Sequence, residues 1–180
     1  MREPIFTDRL HLRDVVEADA ELLFSLDCDP EVMRYIGSPP ADVDWHRHRI
    51  CTAHLPLQDH HWQGLRIVLD RASGAFLGWV FIRPATISKI AAELGWTRPD
   101  DVEVGYRYRR DVWGRGIATE AATPLVRRAL ADPATVAVVG CAMEGNAASI
   151  RVLEKLGLER LETVSVPGER EPLVKLARRR

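Results

Sequence analysis

The strongest constraint on the fold of this chain is a change of hydrophobic period on either side of two glycines, Gly114 and Gly116. In residues 102–109, valine and tyrosine alternate strictly with charged residues and one glycine, which predicts a strand. After the glycines, apolar residues recur at a spacing of four, which predicts a helix with one wide apolar face. Residues 135–143 then form a near-continuous apolar run, typical of a central strand buried on both faces. The apolar face of the helix predicted after Gly116 comprises Ile117, Ala118, Ala121, Ala122, Leu125, Val126, Ala129 and Leu130.

Similar patterns continue this mixture of strands and helices along the rest of the chain. A hairpin is predicted around residues 71–74, and Pro30 interrupts one of the helices. We therefore expect a mixed α/β layer fold. The length of 180 residues favours one domain over residues 1–180, with a core large enough to need no crosslinks. The further predicted strands are 9–15, 65–70, 76–82, 158–166 and 171–177, and the further helices are 20–37 and 146–157.

Charge and cysteine usage exclude several classes of protein. The chain has 25 basic and 26 acidic residues, a net charge of −1, so no global field attracts nucleic acid or an anionic membrane. It has no uninterrupted apolar run of membrane-spanning length, and its first residues are charged, unlike a signal peptide. Three widely spaced cysteines do not form a disulfide framework. We expect a cytoplasmic protein with reduced thiols that contacts neither membrane nor nucleic acid.

Arginine greatly outnumbers lysine, and part of the excess surrounds one turn. Only three of the 25 basic residues are lysines, which reflects either composition or the use of some guanidinium groups as anion ligands. Arg109, Arg110 and Arg115 lie close to Gly114 and Gly116, directly before the predicted helix. Unpaired N–H groups at a helix start bind phosphate, and glycines let the backbone approach a ligand. The turn is thus a phosphate site or an ordinary glycine turn, and it matches neither the dinucleotide fingerprint nor the P-loop.

Three segments resemble one enzyme family, the GNAT acetyltransferase superfamily. Its acetyl-coenzyme A pyrophosphate loop, in the form found in the ribosomal-protein-alanine N-acetyltransferase branch, resembles Trp113-Gly-Arg-Gly-Ile-Ala-Thr-Glu-Ala. The second signature of that branch is similar to Asn146-Ala-Ala-Ser-Ile-Arg-Val-Leu-Glu-Lys-Leu-Gly-Leu. Its N-terminal pattern matches Thr7-Asp-Arg-Leu-His-Leu-Arg together with Asp29-Pro-Glu-Val-Met-Arg-Tyr-Ile-Gly. The matches occur in the expected order and span nearly the whole chain.

The resemblance implies an α/β (α+β) GNAT-like fold and a binding site for acetyl-CoA, with no metal. The central sheet would be mixed and mostly antiparallel, with about seven strands, flanked by helices and splayed between its fourth strand, residues 102–109, and its fifth. The backbone of the fourth strand would pair with the pantetheine arm, amides 115–118 would hold the pyrophosphate, Asn146 would contact the pantetheine or thioester region, and Arg151 would lie near the 3′-phosphate. The implied cofactor-binding residues are Val104, Tyr106, Trp113, Gly114, Arg115, Gly116, Ile117, Ala118, Thr119, Asn146, Ser149 and Arg151.

Two positions depart from the family pattern. The family's loop usually begins with Gln or Arg, where this chain has Trp113, although the branch tolerates this change. Many relatives carry a Tyr seven residues after the signature Asn, as the general acid for the leaving thiolate, whereas this chain has Leu153. The proton donor must therefore be another group, or the thiolate leaves unassisted.

Acetyl transfer to an amine needs a base, because a lysine-type amine has a pKa of about 10.4 in water. Glu103 is our candidate, since it begins the strand beside the implied cofactor and the branch commonly has Glu before its Gly-Tyr pair; the alternative is a solvated charge at a strand edge. Ser149 is the candidate acid for the thiolate, with helix capping or packing as the alternative. Tyr106 and Tyr108 are further candidates, although their apolar face favours a core role.

The remaining reactive side chains favour structural roles. Cys141 lies in an apolar run with no neighbouring His, so we expect a core residue and not a nucleophile. The histidine-rich tract 46–61 suggests zinc, but it lacks the paired spacing of structural zinc sites. We expect it to be a polar helix and loop beside the acceptor cleft. The arginines at the C-terminus are expected to be solvated.

The resemblance implies an acetyl-CoA-dependent N-acetyltransferase that acts directly on a primary amine. The acceptor is a protein N-terminus, as in the ribosomal-protein branch, or a small amine such as an antibiotic or polyamine. A non-catalytic acyl-CoA sensor is the alternative of another class. The absence of Tyr at position 153 favours the sensor, and the presence of Glu103 and Ser149 opposes it. Dimers are frequent in such families, so a homodimer is compatible with this assignment.

Overall fold

The computed structural model describes residues 2–59, 62–96 and 98–180. The strands are β1 (Ile5–Phe6), β2 (Leu10–Asp14), β3 (Gly64–Asp70), β4 (Phe76–Pro84), β5 (Asp101–Tyr108), β6 (Ala137–Met143), β7 (Glu159–Val164) and β8 (Leu173–Arg179). The α-helices are α1 (Ala20–Asp27), α2 (Pro30–Met33), α3 (Val43–Arg49), α4 (Ile117–Ala131) and α5 (Ala147–Lys155). A π-helical turn, Ile50–His54, follows α3 directly.

The strands form an eight-stranded sheet in the order β1-β2-β3-β4-β5-β6-β8-β7. Pairing is antiparallel for β1 with β2, β2 with β3, β6 with β8 and β7 with β8, and parallel for β5 with β6. The mixed, mostly antiparallel α/β fold flanked by helices is thus confirmed. The expected count of about seven strands missed β1, because two residues are too few to show a hydrophobic period.

Contacts between residues divide the chain into two compact units. Unit 1 comprises Met1–Phe81 and Tyr106–Ala121, and unit 2 comprises Ile82–Gly105 and Ala122–Arg180. Three elements, β4, β5 and α4, contribute residues to both units. One domain over residues 1–180 stays a prediction.

Unit 1 contains a core whose apolar residues come from β3, β4, α1 and the segments beside them. Strand β2 buries Leu10, Leu12 and Asp14 on one face, as the alternation predicts, although the third of these is charged. Asp14 Oδ1 lies 3.0 Å from Arg2 Nε and 3.3 Å from Arg66 Nη1, and these pairs compensate its burial. The core cluster is Val15, Ala20, Leu23, Ile50, Leu65, Ile67 and Phe81.

The predicted break near Pro30 separates α1 from α2. Pro30 is the first residue of α2, where its fixed φ suits a helix start. Asp29 caps this helix, because its side chain accepts a hydrogen bond of 2.9 Å from the Glu31 N–H. One helix therefore ends and the next begins within residues 28–30.

Unit 2 contains the parallel strand pair and the last helix. Residues Asp101–Glu103 of β5 pair with Ala137–Val139 of β6, and this register is shorter than either strand, as the implied splay requires. Strand β8 extends to Arg179, which pairs with Ala137 of β6. The C-terminal arginines are exposed, as expected, although two of them, Arg178 and Arg179, belong to β8.

The two long helices begin and end as their sequences predict. α4 contains Pro124 in its interior and spans 15 residues. α5 is capped by Asn146, and Gly157 follows its end with a φ of +85°, the left-handed conformation expected of a helix C-terminus. Across the described ranges, none of the helices is long and apolar enough to cross a membrane.

Candidate active site

The turn that precedes α4, in unit 1, requires glycine at two positions. Gly114 and Gly116 have φ values of +72° and +77°, a region that residues with a Cβ rarely adopt. A Cβ on Gly114 would meet nothing within 4 Å, and one on Gly116 would meet only Arg9 Nη2, at 3.7 Å. Backbone conformation, and not crowding by the protein, therefore accounts for both glycines, and the space beside Gly114 is open to a ligand.

The start of α4 presents backbone donors at this turn. The backbone N–H of Glu120 donates to the Gly116 carbonyl over 3.0 Å, so the N–H groups of Ile117 and Ala118 precede this first bond of the helix. These amides and the helix dipole favour the binding of an anion at the N-terminus of α4, which is long enough to have such a dipole. The observed geometry thus fits a pyrophosphate at residues 114–118, as the motif predicts.

The arginines around the turn differ in how far they are already paired. Arg109 donates to both oxygens of Asp111, at 3.0 and 2.9 Å, and to the Phe76 carbonyl. Arg109 is thus already paired with the carboxylate of Asp111, and both side chains are exposed. Arg110 and Arg115 are exposed.

Arg9 also reaches this turn, which the sequence analysis did not predict. Its Nη1 donates to the Arg115 carbonyl over 3.0 Å. The one indication in the sequence is that Thr7-Asp-Arg matches the N-terminal family pattern, but that pattern assigns no role to the arginine.

Trp113 and Tyr108 form one connection between β5 and the turn. The indole Nε1 donates to the Tyr108 carbonyl over 2.8 Å, while 48% of Trp113 stays exposed. Burial, with a contribution from Tyr106, raises the pKa of the Tyr108 hydroxyl well above its usual value. Within the part of the chain that is described, the Tyr108 hydroxyl has no hydrogen-bond partner. These properties suit a core residue better than a proton donor, whereas Tyr106 is only half-buried.

Glu103, in unit 2, is a buried carboxylate held by one arginine. Only 8% of the residue is exposed, which contradicts the alternative of a solvated strand-edge charge. Arg83 Nε and Nη2 both lie 2.7 Å from Oε2 of Glu103, which leaves Oε1 as the oxygen that can take a proton. Burial raises the pKa of Glu103, and the charge and hydrogen bond of Arg83 oppose this rise without cancelling it.

Cys141 belongs to β6 and lies near this carboxylate. Burial, reinforced by the negative charge of Glu103, raises the pKa of the Cys141 thiol to about 12. A thiolate is the reactive form of cysteine, so this thiol is inert near neutral pH. The structure agrees with the expectation that Cys141 is not a nucleophile.

The second signature begins at the capped end of α5. The Asn146 side-chain oxygen accepts the Ser149 N–H over 3.1 Å, so Asn146 is the cap and Ser149 lies in the first turn, half-buried. Arg151 is exposed, and Val104 of β5 is buried. Leu153 is 1% exposed and packs against Gly140, so its position carries a core residue and no proton donor. The roles of Asn146, Ser149 and Arg151 stay predictions.

The histidine-rich tract forms α3 and the turns after it, but it is less polar than expected. His46 and His54 are buried, which contradicts a solvated polar helix at these two positions. His46 Nε2 lies 3.5 Å from Asp27 Oδ2, and Asp27 also pairs with Arg107. Burial lowers the pKa of His46, against the opposing charge of Asp27. Among residues 2–59, 62–96 and 98–180, no cluster of three candidate metal ligands occurs. His60 and His61 lie outside the described residues.

An open groove of about 660 Å³ lies in unit 1 between α1, α2 and the segment after β5. Its lining combines apolar side chains with both signs of charge, so its chemistry does not select one class of acceptor. Residues 46–59, the described part of the histidine tract, contribute none of the lining residues, which are Leu22, Ser25, Leu26, Asp29, Val32, Phe76, Arg109, Arg110 and Asp111.

Comparisons with known proteins agree on one family. The family model described as acetyltransferase (GNAT) domain matches residues 9–159. A relative from Aspergillus fumigatus, FsC-acetyl coenzyme A-N(2)-transacetylase, is 29% identical over 167 residues, which cover 88% of this chain but only 66% of that protein. Among solved structures, aminoglycoside acetyltransferase AAC(6′)-Ib in complex with coenzyme A has a TM-score of 0.77 at 21% identity, over 95% of both chains. The ribosomal alpha-N-protein acetyltransferase RimL in complex with coenzyme A has a TM-score of 0.77 at 15% identity, over 98% of both.

Proposed function

This chain belongs to the acetyltransferase (GNAT) domain family, so its domain is an acetyl-CoA-dependent N-acetyltransferase, and from that premise we propose direct acetyl transfer to a primary amine with Glu103 as general base. The observation that carries the proposal is the buried Glu103 carboxylate, which Arg83 holds through one oxygen only. Such a group combines a defined position with a free oxygen for a proton.

Acetyl-CoA supplies the thioester, and residues of this chain hold its parts. The N–H groups of residues 115–118 bind the pyrophosphate, with Gly114 allowing close approach. The backbone at Val104 and Tyr106 pairs with the pantetheine arm, and Thr119, Trp113 and Arg151 contact the remaining parts. These assignments come from the family resemblance. The open backbone turn at the start of α4 supports the first of them.

Glu103 takes the proton that the amine loses as its bond to the acetyl carbon forms. A base must be ionised to do this, and the raised pKa of Glu103 brings its proton affinity closer to neutral pH. Arg83 keeps the carboxylate in place and limits the rise in pKa. Burial and pairing thus act in opposite directions, and their balance suits a base that works near neutral pH.

The Ser149 hydroxyl relays a proton to the released sulfur and regains one from Glu103, so that the proton lost by the amine ends on the thiol and both side chains are restored. Its place in the first turn of α5, beside the capping residue Asn146, supports this role. Leu153 is core, so the acid that many relatives use at this position is replaced by another group.

The first acceptor class is a protein N-terminal amine. The three motif matches to the ribosomal-protein-alanine N-acetyltransferase branch support it, together with the fold shared with RimL. A small-molecule amine is the second class, favoured by the name of the 29% identical relative, which describes an N(2)-transacetylase.

The test is the substitution Glu103→Gln, which keeps the shape of the side chain and removes the base. Thiol release from acetyl-CoA is followed with a panel of peptides bearing free N-termini and of small amines. We expect kcat/KM for the best acceptor to fall by roughly 10²- to 10⁴-fold. The acidic limb of the pH–rate profile should disappear.

The matched control is Glu159→Gln, because Glu159 is an exposed glutamate on β7. Its rate and pH profile should equal those of the wild type. An unchanged pH–rate profile in Glu103→Gln would rule out its role as base. The panel also separates the two acceptor classes by which amine gives the higher kcat/KM.

A further inference from the structure

A hydrogen-bonded corner joins the N-terminal segment to the turn before α4, entirely within unit 1. Glu120 Oε1 accepts from the Thr7 hydroxyl at 2.5 Å and from the Arg9 backbone N–H at 3.0 Å. Glu120 Oε2 accepts from Arg9 Nε at 2.6 Å. The guanidinium of Arg9 then donates from Nη1 to the Arg115 carbonyl at 3.0 Å. These four contacts connect the N-terminal segment with Glu120 and with the glycine turn, although the partners lie more than a hundred positions apart in the sequence.

The contact with the Arg115 carbonyl determines where the next amide points. The described chain contains no cis peptide bond, so the peptide between Arg115 and Gly116 is trans and planar. In a trans peptide the C=O and N–H bonds point in opposite directions. With its carbonyl directed at Arg9, this peptide directs the Gly116 N–H away from Arg9. Gly116 has no side chain that could fix the plane, and its φ of +77° is one of several that glycine can adopt.

Glu120 in turn determines where the guanidinium of Arg9 lies. Burial raises the pKa of Glu120, but the hydrogen bonds from Thr7 and Arg9 outweigh it and hold that pKa below its ordinary value. The carboxylate is therefore ionised at neutral pH and pairs with Arg9. Because 47% of the Arg9 side chain is exposed, the pair contributes little to the stability of the fold.

We propose that Arg9 and Glu120 are positioning residues for the pyrophosphate of the acetyl donor: Glu120 orients the Arg9 guanidinium, and Arg9 orients the Arg115–Gly116 peptide so that its N–H faces the ligand. The inference rests on the proposed function, since it assumes that acetyl-CoA binds at this turn. It extends that proposal to two side chains that the family motifs assign to no role.

The experiment compares donors with and without a pyrophosphate. Calorimetry measures the Kd of coenzyme A for the wild type, Arg9→Gln, Arg9→Lys, Glu120→Gln and the double variant R9Q/E120Q. Rates with acetyl-CoA and with S-acetylpantetheine, which lacks the pyrophosphate, are measured on the same proteins. Arg127→Gln is the matched control, because Arg127 is an exposed arginine further along the same helix. Thermal unfolding verifies that each variant is folded.

We expect Arg9→Gln and Glu120→Gln to raise the Kd of coenzyme A roughly tenfold, the size expected for a lost hydrogen bond to a charged group. The rate with S-acetylpantetheine should not change. Arg9→Lys should recover part of the affinity, because it keeps the charge but lacks the planar fork. The double variant should lose little more than either single variant, since the two residues act as one unit.

Equal losses with both donors would overturn the inference, because they would indicate a general structural defect. An unchanged Kd in Arg9→Gln would also overturn it, as would an effect of the same size in Arg127→Gln. The binding measurement needs no acceptor. A wild type that binds coenzyme A, loses affinity in Arg9→Gln and acetylates no amine would therefore support the positioning role while overturning the proposed acetyl transfer.

Discussion

At the scale of single residues, Glu103 is subject to two opposing influences on its pKa. Burial raises the pKa, and the Arg83 guanidinium lowers it by a smaller amount. A carboxylate with a raised pKa is protonated at a pH where an ordinary glutamate is still ionised. As a base, Glu103 should therefore lose activity as the pH falls through this raised value.

Replacing Arg83 by Gln removes the opposing influence, so the pKa of Glu103 should rise further. We expect the acidic limb of kcat/KM to move to higher pH in Arg83→Gln, and activity near neutral pH to fall as a consequence. The measurement is a pH–rate profile with acetyl-CoA and the best amine, with Arg127→Gln as the control. A limb that stays in place, or moves to lower pH, contradicts the assignment of Glu103 as base.

Which site residues could be found from sequence depended on whether their signal was local. The glycines at 114 and 116, Asn146 and Glu103 lie within short motifs, and in the structure the glycines have positive φ values, Asn146 caps a helix and Glu103 is buried. The pairing partners Arg83 and Arg9 come from other strands or segments, 20 and 106 or more positions away. Chain folding alone determines those contacts, so neither period nor spacing could reveal them.

At the scale of elements, the packing of α5 on β6 depends on Gly140. A Cβ at this position would lie 2.8 Å from Leu153 Cδ2, closer than real Cβ contacts allow. Leu153 is fully buried and cannot move into solvent. Helix α5 lies close to β6 because Gly140 has no side chain and Leu153 fills the space beside it.

We expect Gly140→Ala to destabilise the protein by about 1–3 kcal/mol, the usual cost of overpacking a core. The double variant G140A/L153V should recover part of this loss, since the shorter side chain makes room for the added methyl group. Chemical denaturation of the four proteins, the wild type, G140A, L153V and G140A/L153V, measures the free energies of unfolding. Additive losses in the double variant would show that the two residues are not in contact.

The elements themselves were largely predictable, because their hydrophobic periods are long and regular. The helices α4 and α5 and the strands of the hairpin occur close to their expected positions. Strand β1 was missed because it has only two residues, and the burial of His46 and His54 was missed because their sequence context is polar. The contact of His46 Nε2 with Asp27 Oδ2, at 3.5 Å, is a tertiary contact that the local sequence does not encode.

At the scale of the whole molecule, the two units share three elements. Since β4, β5 and α4 each pass through both units, breaking one unit would disrupt strands and a helix of the other. We therefore expect residues 1–180 to unfold as one cooperative domain, as the length of the chain predicts.

The measurement is denaturant unfolding followed by far-UV circular dichroism, by fluorescence and by hydrogen exchange of peptides from each unit. Four of the five tryptophans lie in unit 1, and Trp96, which is 5% exposed, lies in unit 2, so the fluorescence comes mainly from unit 1 and the exchange of peptides separates the units. The three signals should change at the same denaturant concentration. Exchange that begins in one unit while the other stays protected would indicate two domains.

The cap of α5 has a consequence for the kind of group that Asn146 can recognise. Its carbonyl oxygen accepts the Ser149 N–H, whereas its amide nitrogen, a pure donor, takes no part in the cap. An aspartate would cap the helix as well, but it would present lone pairs in place of hydrogens. The helix has no preference between the two residues. We therefore expect the amide N–H groups at this position to favour a partner that presents a carbonyl oxygen over one that presents an N–H.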